Sequence, residues 1–215
     1  MICTALSEKN TEACIKMASM YELAEIRIDL AGFNVEQVKK VFSSHKNLVA
    51  TCRPENYTDD KRKELLKTAI KAGAGYVDVE IESDKDFIDE IKRTASENHC
   101  SLIISYHNYE ETPSKTELES IVSECFFLGA DVAKVACMVN EIKDNANILS
   151  LFTLGKRIVA LGMGELGKIT RVITPFLGAE FTFAAPDSGE GTAPGQITTE
   201  RMKSIYTVMH QNGVK

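Results

Sequence analysis

The sequence predicts an α/β protein, a (β/α)8 barrel of the TIM type in which residues 1–215 form one domain. Three observations lead to that class. Eight short runs rich in apolar and β-branched residues recur roughly every 25 residues, a spacing that suits strand–helix units. Segments with apolar residues at helical spacing lie between them. No linker, low-complexity tract or shift in composition divides the 215 residues, and that length suits a single domain. Strands alternating with helices build a parallel sheet, and eight of them favour a closed barrel over an open doubly wound sheet.

The expected strands, in chain order, are Ile2–Leu6, Leu23–Leu30, Leu48–Arg53, Tyr76–Ile81, Ser101–His107, Val132–Met138, Arg157–Met163 and Glu180–Ala185. Amphipathic spacing predicts helices over Asp59–Ala72, through Leu65, Leu66, Ala69 and Ile70, and over Lys115–Leu128, through Leu118, Ile121, Val122 and Cys125. Asn34, Ser83 and Ser114 are expected as N-caps, because their side-chain oxygens can accept from first-turn N–H groups.

A hydrophobic fraction of 44% and a charged fraction of 26% are those of an ordinary globular chain. The net charge of −6 argues against nucleic acid as a partner, since phosphate binding needs a basic face. A small anionic substrate remains allowed if arginine or lysine holds it inside a site. No apolar run approaches the ~18 residues of a membrane span, and Glu8, Lys9 and Glu12 interrupt the N-terminus where a secretory core would lie. The six cysteines form no CxxC pair and read as small buried hydrophobes in a reducing cytoplasm. No Cys/His cluster has the spacing of a zinc site, so no metal is expected.

Chemistry is expected at the C-terminal ends of the strands, so polar residues there matter most. In strand two Glu25, Arg27 and Asp29 share one face, and Ala24, Ile26, Ile28 and Leu30 the other. The apolar face suits the helices, which turns the charges inward, either as a structural ion-pair network or as part of a site. Strand four repeats the pattern with Asp78 and Glu80 inward. Arg53 ends strand three before Pro54, where a guanidinium can grip a carboxylate; an exposed loop arginine would look the same. His107 ends strand five and is the one histidine of four placed for proton transfer. Lys134 lies inside the apolar strand six, where burial and nearby cations would favour a free amine able to attack a carbonyl.

Residues Gly162-Met-Gly-Glu-Leu-Gly167 match GxGxxG, but the 48 residues that follow are too few for a dinucleotide fold. A tight turn near Arg171, suited to an anion or a carbonyl-bearing substrate, is expected instead. The segment Pro186–Gln196 carries three glycines and two prolines and reads as a lid loop on the catalytic face.

Glu25-Ile-Arg27-Ile-Asp29, Thr51-Cys-Arg53, Ser105-Tyr-His107-Asn, Ala133-Lys134-Val-Ala, Met163-Gly, Thr170-Arg171, Phe181-Thr-Phe183 and Thr192-Ala-Pro-Gly-Gln196 occur in this order over nearly the whole chain. Together they resemble type I 3-dehydroquinate dehydratase, the Schiff-base-forming enzyme family of the shikimate pathway. The resemblance implies a hydro-lyase that converts 3-dehydroquinate to 3-dehydroshikimate, without a cofactor, in aromatic amino-acid biosynthesis. It implies Lys134 as the imine-forming lysine and His107 as general acid and base. Arg171 resembles the carboxylate clamp, and Glu25, Arg27, Arg53, Thr192 and Gln196 resemble the remaining substrate contacts. Met163 and Phe183 resemble apolar walls. Thr192 stands where many relatives have Ser, and the acidic partner of His107 is either Glu55 or Glu80. Homodimers are common in the family. Two other readings stay open at this stage: a class I Schiff-base aldolase acting on a sugar-type ketone, and a non-catalytic barrel sensor.

Overall fold

The computed structural model describes residues 1–188 and 192–211. Its strands are β1 (Ile2–Leu6), β2 (Leu23–Arg27), β3 (Leu48–Thr51), β4 (Tyr76–Glu80), β5 (Ser101–Asn108), β6 (Val132–Met138), β7 (Ile158–Met163) and β8 (Thr182–Ala184). They form one parallel sheet in the order β7-β6-β5-β4-β3-β2-β1-β8. This is the expected (β/α)8 barrel, nearly closed. At the β7–β8 seam the Glu180 N–H donates to the Ile158 carbonyl at 3.0 Å, and Arg157 pairs with the Glu180 carboxylate at 2.6 Å.

The helices are α1 (Thr11–Ala18), α2 (Ile28–Ala31), α3 (Val35–Phe42), α4 (Asp59–Ala72), α5 (Lys85–Glu97), α6 (Lys115–Phe127), α7 (Ile142–Ser150), α8 (Gly164–Ile173) and α9 (Thr199–Gln211). Asn34 and Ser114 cap α3 and α6, each in a capping box with Gln37 or Glu117. Ser83 is not a cap: α5 begins one residue later, with Asp84 at the N-cap and no side-chain hydrogen bond there. Among the described residues, no helix is long and apolar enough to cross a membrane.

Strand alternation divides the interior in two. Ala24, Ile26, Val77, Val79, Ala133 and Val135 face outward into the layer shared with the helices. Leu23, Val49, Ile103, Val132, Val159 and Phe181 face inward and fill the lower barrel as a dry plug. One step up β2 to β6 the same inward face changes character. Glu25, Thr51, Asp78, Ser105 and Lys134 form a buried polar layer directly above that plug.

Strand two is shorter than its alternation suggests. It ends at Arg27, and Ile28–Ala31 close one helical turn capped by Gly32 at φ +70°. Asp29 therefore leaves the sheet; its carboxylate meets Arg27 through two hydrogen bonds, Nε–Oδ1 at 3.1 Å and Nη2–Oδ2 at 2.6 Å. Leu30, expected on the apolar wall, is exposed. The period-2 pattern of charges continued past the point where ladder bonds stop. Arg53 likewise lies two residues beyond the end of β3, just before the 3-10 turn that Pro54 opens.

The GxGxxG segment has a packing role. A Cβ on Gly167 would lie 2.4 Å from the Gly162 carbonyl carbon, and one on Gly162 would lie 2.8 Å from the Gly167 Cα. The two glycines let α8 press directly onto β7, and the Thr170 hydroxyl ties the junction by accepting from the Gly162 N–H at 2.7 Å. Gly167→Ala should therefore lower unfolding free energy by about 1–3 kcal/mol, the usual cost of overpacking. Urea unfolding measures it; a loss below about 0.5 kcal/mol would show that α8 can slide outward without cost.

Candidate active site

A cavity opens at the C-terminal end of the barrel. It is lined by Glu25, Arg27, Arg53, Glu55, His107, Tyr109, Lys134, Ala136, Leu161, Met163, Arg171, Phe183, Thr192, Ala193 and Gln196. All eight residues expected to form the site thus face one space, although β2, the turn after β3, β5, β6, α8 and the segment after β8 supply them.

Lys134 is 5% exposed. Its ammonium donates to Asp78 Oδ2 at 2.8 Å, lies 3.7 Å from Glu25 Oε1, and sits 4.4 Å from the centre of the Phe183 ring. The charges in direct contact with it are thus carboxylates, where the sequence suggested cations. They offset the cost of burying the ammonium. Glu25 is held in turn by the Thr51 hydroxyl, which donates to Oε1 at 2.8 Å.

Asp78 is the centre of this layer. Its Oδ1 accepts from Ser105 Oγ at 2.7 Å and from Arg53 Nη2 at 3.0 Å. Burial pushes its carboxyl up, but the Arg53 guanidinium and the Lys134 ammonium outweigh burial and hold it well below the usual carboxylate range. Arg53 also donates to Glu80 Oε1 at 2.6 Å, and Glu80 Oε2 accepts from Arg62 of α4 at 2.5 Å. Glu80 is thereby committed to two arginines, Arg53 at the cavity wall and Arg62 behind it. Glu55, the other candidate partner for His107, does line the cavity.

His107 occupies the inward layer above Lys134 on the neighbouring strand; Ser105 is in register with Lys134 and His107 with Ala136. Its ring stacks on Tyr109, with centroids 6.2 Å apart and planes 15° from parallel. Burial first, then the nearby Arg53 and Lys134 charges, push its imidazole well below the usual 6.5, against an opposing pull from Asp78. The ring is therefore neutral at neutral pH, the form that accepts a proton.

Arg171 differs from the other cations of the site. It is 1% exposed, and its Nη1 and Nη2 reach only the main-chain carbonyls of Phe183 and Pro194, at 3.4 and 3.5 Å. Its Nε has no partner among the described residues. Burial pulls this guanidinium down to about 10. A buried cation with long hydrogen bonds and no carboxylate is costly unless an anion arrives to meet it. Facing it, Thr192 and Gln196 bond each other: the Thr192 N–H donates to Gln196 Oε1 at 2.8 Å, and Gln196 Nε2 donates to the Thr192 hydroxyl at 3.3 Å. A Cβ on Gly195, at φ +75°, would lie 2.4 Å from the Gly164 carbonyl oxygen, so this segment packs closely on the β7–α8 turn. Of the expected lid loop, residues 189–191 lie outside the described residues.

Asp78, Thr51 and Ser105 belong to the site and were not singled out from the sequence as functional. The alternation in β4 did mark Asp78 as inward; what it lacked was any sign that Lys134, two strands away, is the partner.

The comparisons with known proteins agree with this geometry. A family model described as type I 3-dehydroquinase matches residues 2–213. The 3-dehydroquinate dehydratase of Methanocaldococcus jannaschii is 34% identical over 97% of this chain and 99% of that protein. That of Dehalococcoides mccartyi is 30% identical over 98% of this chain and 97% of its own. Among solved structures, type I 3-dehydroquinate dehydratase from Clostridium difficile, with covalently modified comenic acid, superposes with a TM-score of 0.86 at 27% identity, covering 99% of this chain and 92% of that one. A match of this extent, over a barrel whose strand ends meet in one lysine-containing cavity, places the chain in the type I 3-dehydroquinase family.

Proposed function

We propose that this member of the family dehydrates 3-dehydroquinate to 3-dehydroshikimate, in the shikimate pathway, through an imine on Lys134 with His107 as general acid and base. The observation that carries the reading is the cavity shared by Lys134 and Arg171: a buried amine and a buried guanidinium that meets no carboxylate among the described residues. A small molecule that is both ketone and carboxylate satisfies both groups at once. 3-Dehydroquinate is such a compound, a cyclic β-hydroxy ketone bearing a carboxylate.

Loss of a proton beside a ketone is slow because the enolate is poorly stabilised. Attached to Lys134 as an iminium, the same carbon skeleton takes the electron pair onto nitrogen, so the protein's own lysine serves as electron sink and no cofactor is needed. His107, neutral in the resting site, removes the proton next to the imine carbon and returns one to the departing hydroxyl. Water then hydrolyses the imine. Arg171 holds the carboxylate, while Glu25, Arg27, Arg53, Thr192 and Gln196 contact the remaining polar groups. Arg53 does this with a guanidinium already anchored by Asp78 and Glu80, so it is a rigid contact. Met163 and Phe183 supply apolar walls. The cytoplasm is part of the same proposal, supported by six cysteines that are all free and buried. So is a homodimer, for which Leu166 and Ile169, exposed on α8, offer apolar surface.

Borohydride reduction in the presence of 3-dehydroquinate tests the mechanism. A stable adduct mapped to Lys134, absent in Lys134→Ala, is the expected result; an active protein that yields no adduct would end the imine reading. Arg171→Met should raise KM about 10- to 100-fold, the worth of a charge-assisted hydrogen bond of roughly 1.5–3 kcal/mol. An unchanged KM would remove Arg171 from carboxylate binding. The depressed His107 also sets a sign for pH dependence. Because protonation disables the base, kcat/KM should hold as pH falls through 6.5 and decline only below it. An acid limb above pH 6.5 that His107→Ala abolishes would show that the ring is charged in the resting site.

A further inference from the structure

Two carboxylates stand near Lys134 Nζ, and they are not equivalent. Asp78 Oδ2 lies 2.8 Å away and Glu25 Oε1 lies 3.7 Å away. The other oxygen of Asp78 is occupied by Ser105 and Arg53, which fixes the carboxylate plane and leaves Oδ2 to Lys134. The Glu25 oxygen closest to Lys134 already accepts from Thr51. The Phe183 ring covers the nitrogen on another side without offering a lone pair.

Proton accounting for imine formation shows why the difference matters. An ammonium and a ketone, R–NH3+ and O=CR2, give an iminium and one water, R–NH+=CR2 and H2O. Two of the three nitrogen protons leave on the carbonyl oxygen, and a C=N bond replaces the C=O bond. The third proton stays on a nitrogen that is now planar. Whichever acceptor holds that proton sets the plane of the C=N bond and the side on which the substrate ring lies.

We propose that Asp78 is the counter-ion of the iminium, its Oδ2 accepting a hydrogen bond from the single remaining N–H and so fixing both the protonation and the orientation of the imine. The inference rests on the imine reading above. With the N–H directed at Asp78, the substrate carbon lies on the opposite side of the nitrogen, in the cavity shared with His107 and Arg171. Retained protonation keeps the nitrogen an electron sink through the proton abstraction. The other charged or titratable groups around this nitrogen are Glu25 from β2, Arg53 beyond β3, His107 from β5 and the Cys3 thiol from β1.

Asp78→Asn keeps the shape of the side chain and removes its charge. Wild type and D78N are mixed with the product ketone, 3-dehydroshikimate, and the C=N stretch is recorded by infrared difference spectroscopy in H2O and in D2O. An iminium shifts in D2O because its nitrogen carries an exchangeable proton; a neutral imine does not. The pH at which the isotope shift disappears should fall by about 1–3 units in D78N, the effect of removing an adjacent opposite charge. Turnover should fall about 100-fold with KM little changed, as when one preorganised group facing developing charge is lost. An unaltered pH dependence in D78N, or a larger shift in Glu25→Gln than in D78N, would overturn the assignment. Should D78N fail to fold, the structure of borohydride-reduced wild type answers the same question. An amine nitrogen within about 3.2 Å of Asp78 Oδ2 supports the assignment, and one turned to Glu25 overturns it. If wild type itself shows neither a C=N band nor a reduced adduct, the imine reading has failed, which is distinct from a fault in Asp78 alone.

Discussion

The cost of keeping cations inside a barrel governs the architecture of this site. Lys134 and Arg53 are both buried, and each would be prohibitive alone. Asp78 meets both, one with each oxygen, and is itself wholly buried between them. Removing one member of such a buried pair typically costs about 3–5 kcal/mol, because the other charge is left uncompensated. The polar layer can therefore exist only as a set. The Ser105 hydroxyl, which donates to Asp78, and the Thr51 hydroxyl, which donates to Glu25, complete it.

Arg171 is the exception that this balance exposes. The other cations in and behind the site have carboxylate partners: Arg27 has Asp29, Arg53 has Asp78 and Glu80, Arg62 has Glu80, and Lys134 has Asp78. Among the described residues Arg171 meets only two distant carbonyls, and its Nε has no partner. A buried cation left so beside paired ones suits the arrival of an anionic group. Burial, with the Arg53 and Lys134 charges behind it, pushes the His107 imidazole toward its neutral form, the form that can accept a proton.

Below the polar layer the barrel is ordinary packing, and that is what gives the site its rigidity. Leu23, Val49, Ile103, Val132, Val159 and Phe181 close the floor and exclude water from beneath Lys134. The contact of Gly162 with Gly167 brings α8, and with it Arg171, up against β7. Site residues carried on strands move little, which suits a mechanism in which one lysine and one histidine must stay in register.

Much of this was legible in the chain itself because strand alternation is a local property. The eight strands, the inward set of β2 and β4, and the anomaly of a lysine in the apolar run Val132–Met138 all follow from period-2 patterning and the cost of buried charge. Alternation also misled: it carried Asp29 into a strand that had ended at Arg27, since nothing in the pattern marks where ladder hydrogen bonds stop. Position on the strands marked Lys134 and His107 as candidates, and the family resemblance added Arg171 as a carboxylate clamp, but neither told which charges would meet. Asp78 and Lys134 are 56 residues and two strands apart, and Arg53 reaches both Asp78 and Glu80 only because β3 and β4 are neighbours whose ends converge on the barrel axis. The sequence by itself determined the barrel and marked Lys134 and His107 as inward polar residues on its strands, because periodicity and desolvation act on each segment separately. Only the tertiary structure decided that Lys134 is paired and that Arg171 meets no carboxylate among the described residues, because the energy of a buried charge depends on neighbours that closure of the barrel brings within hydrogen-bond distance.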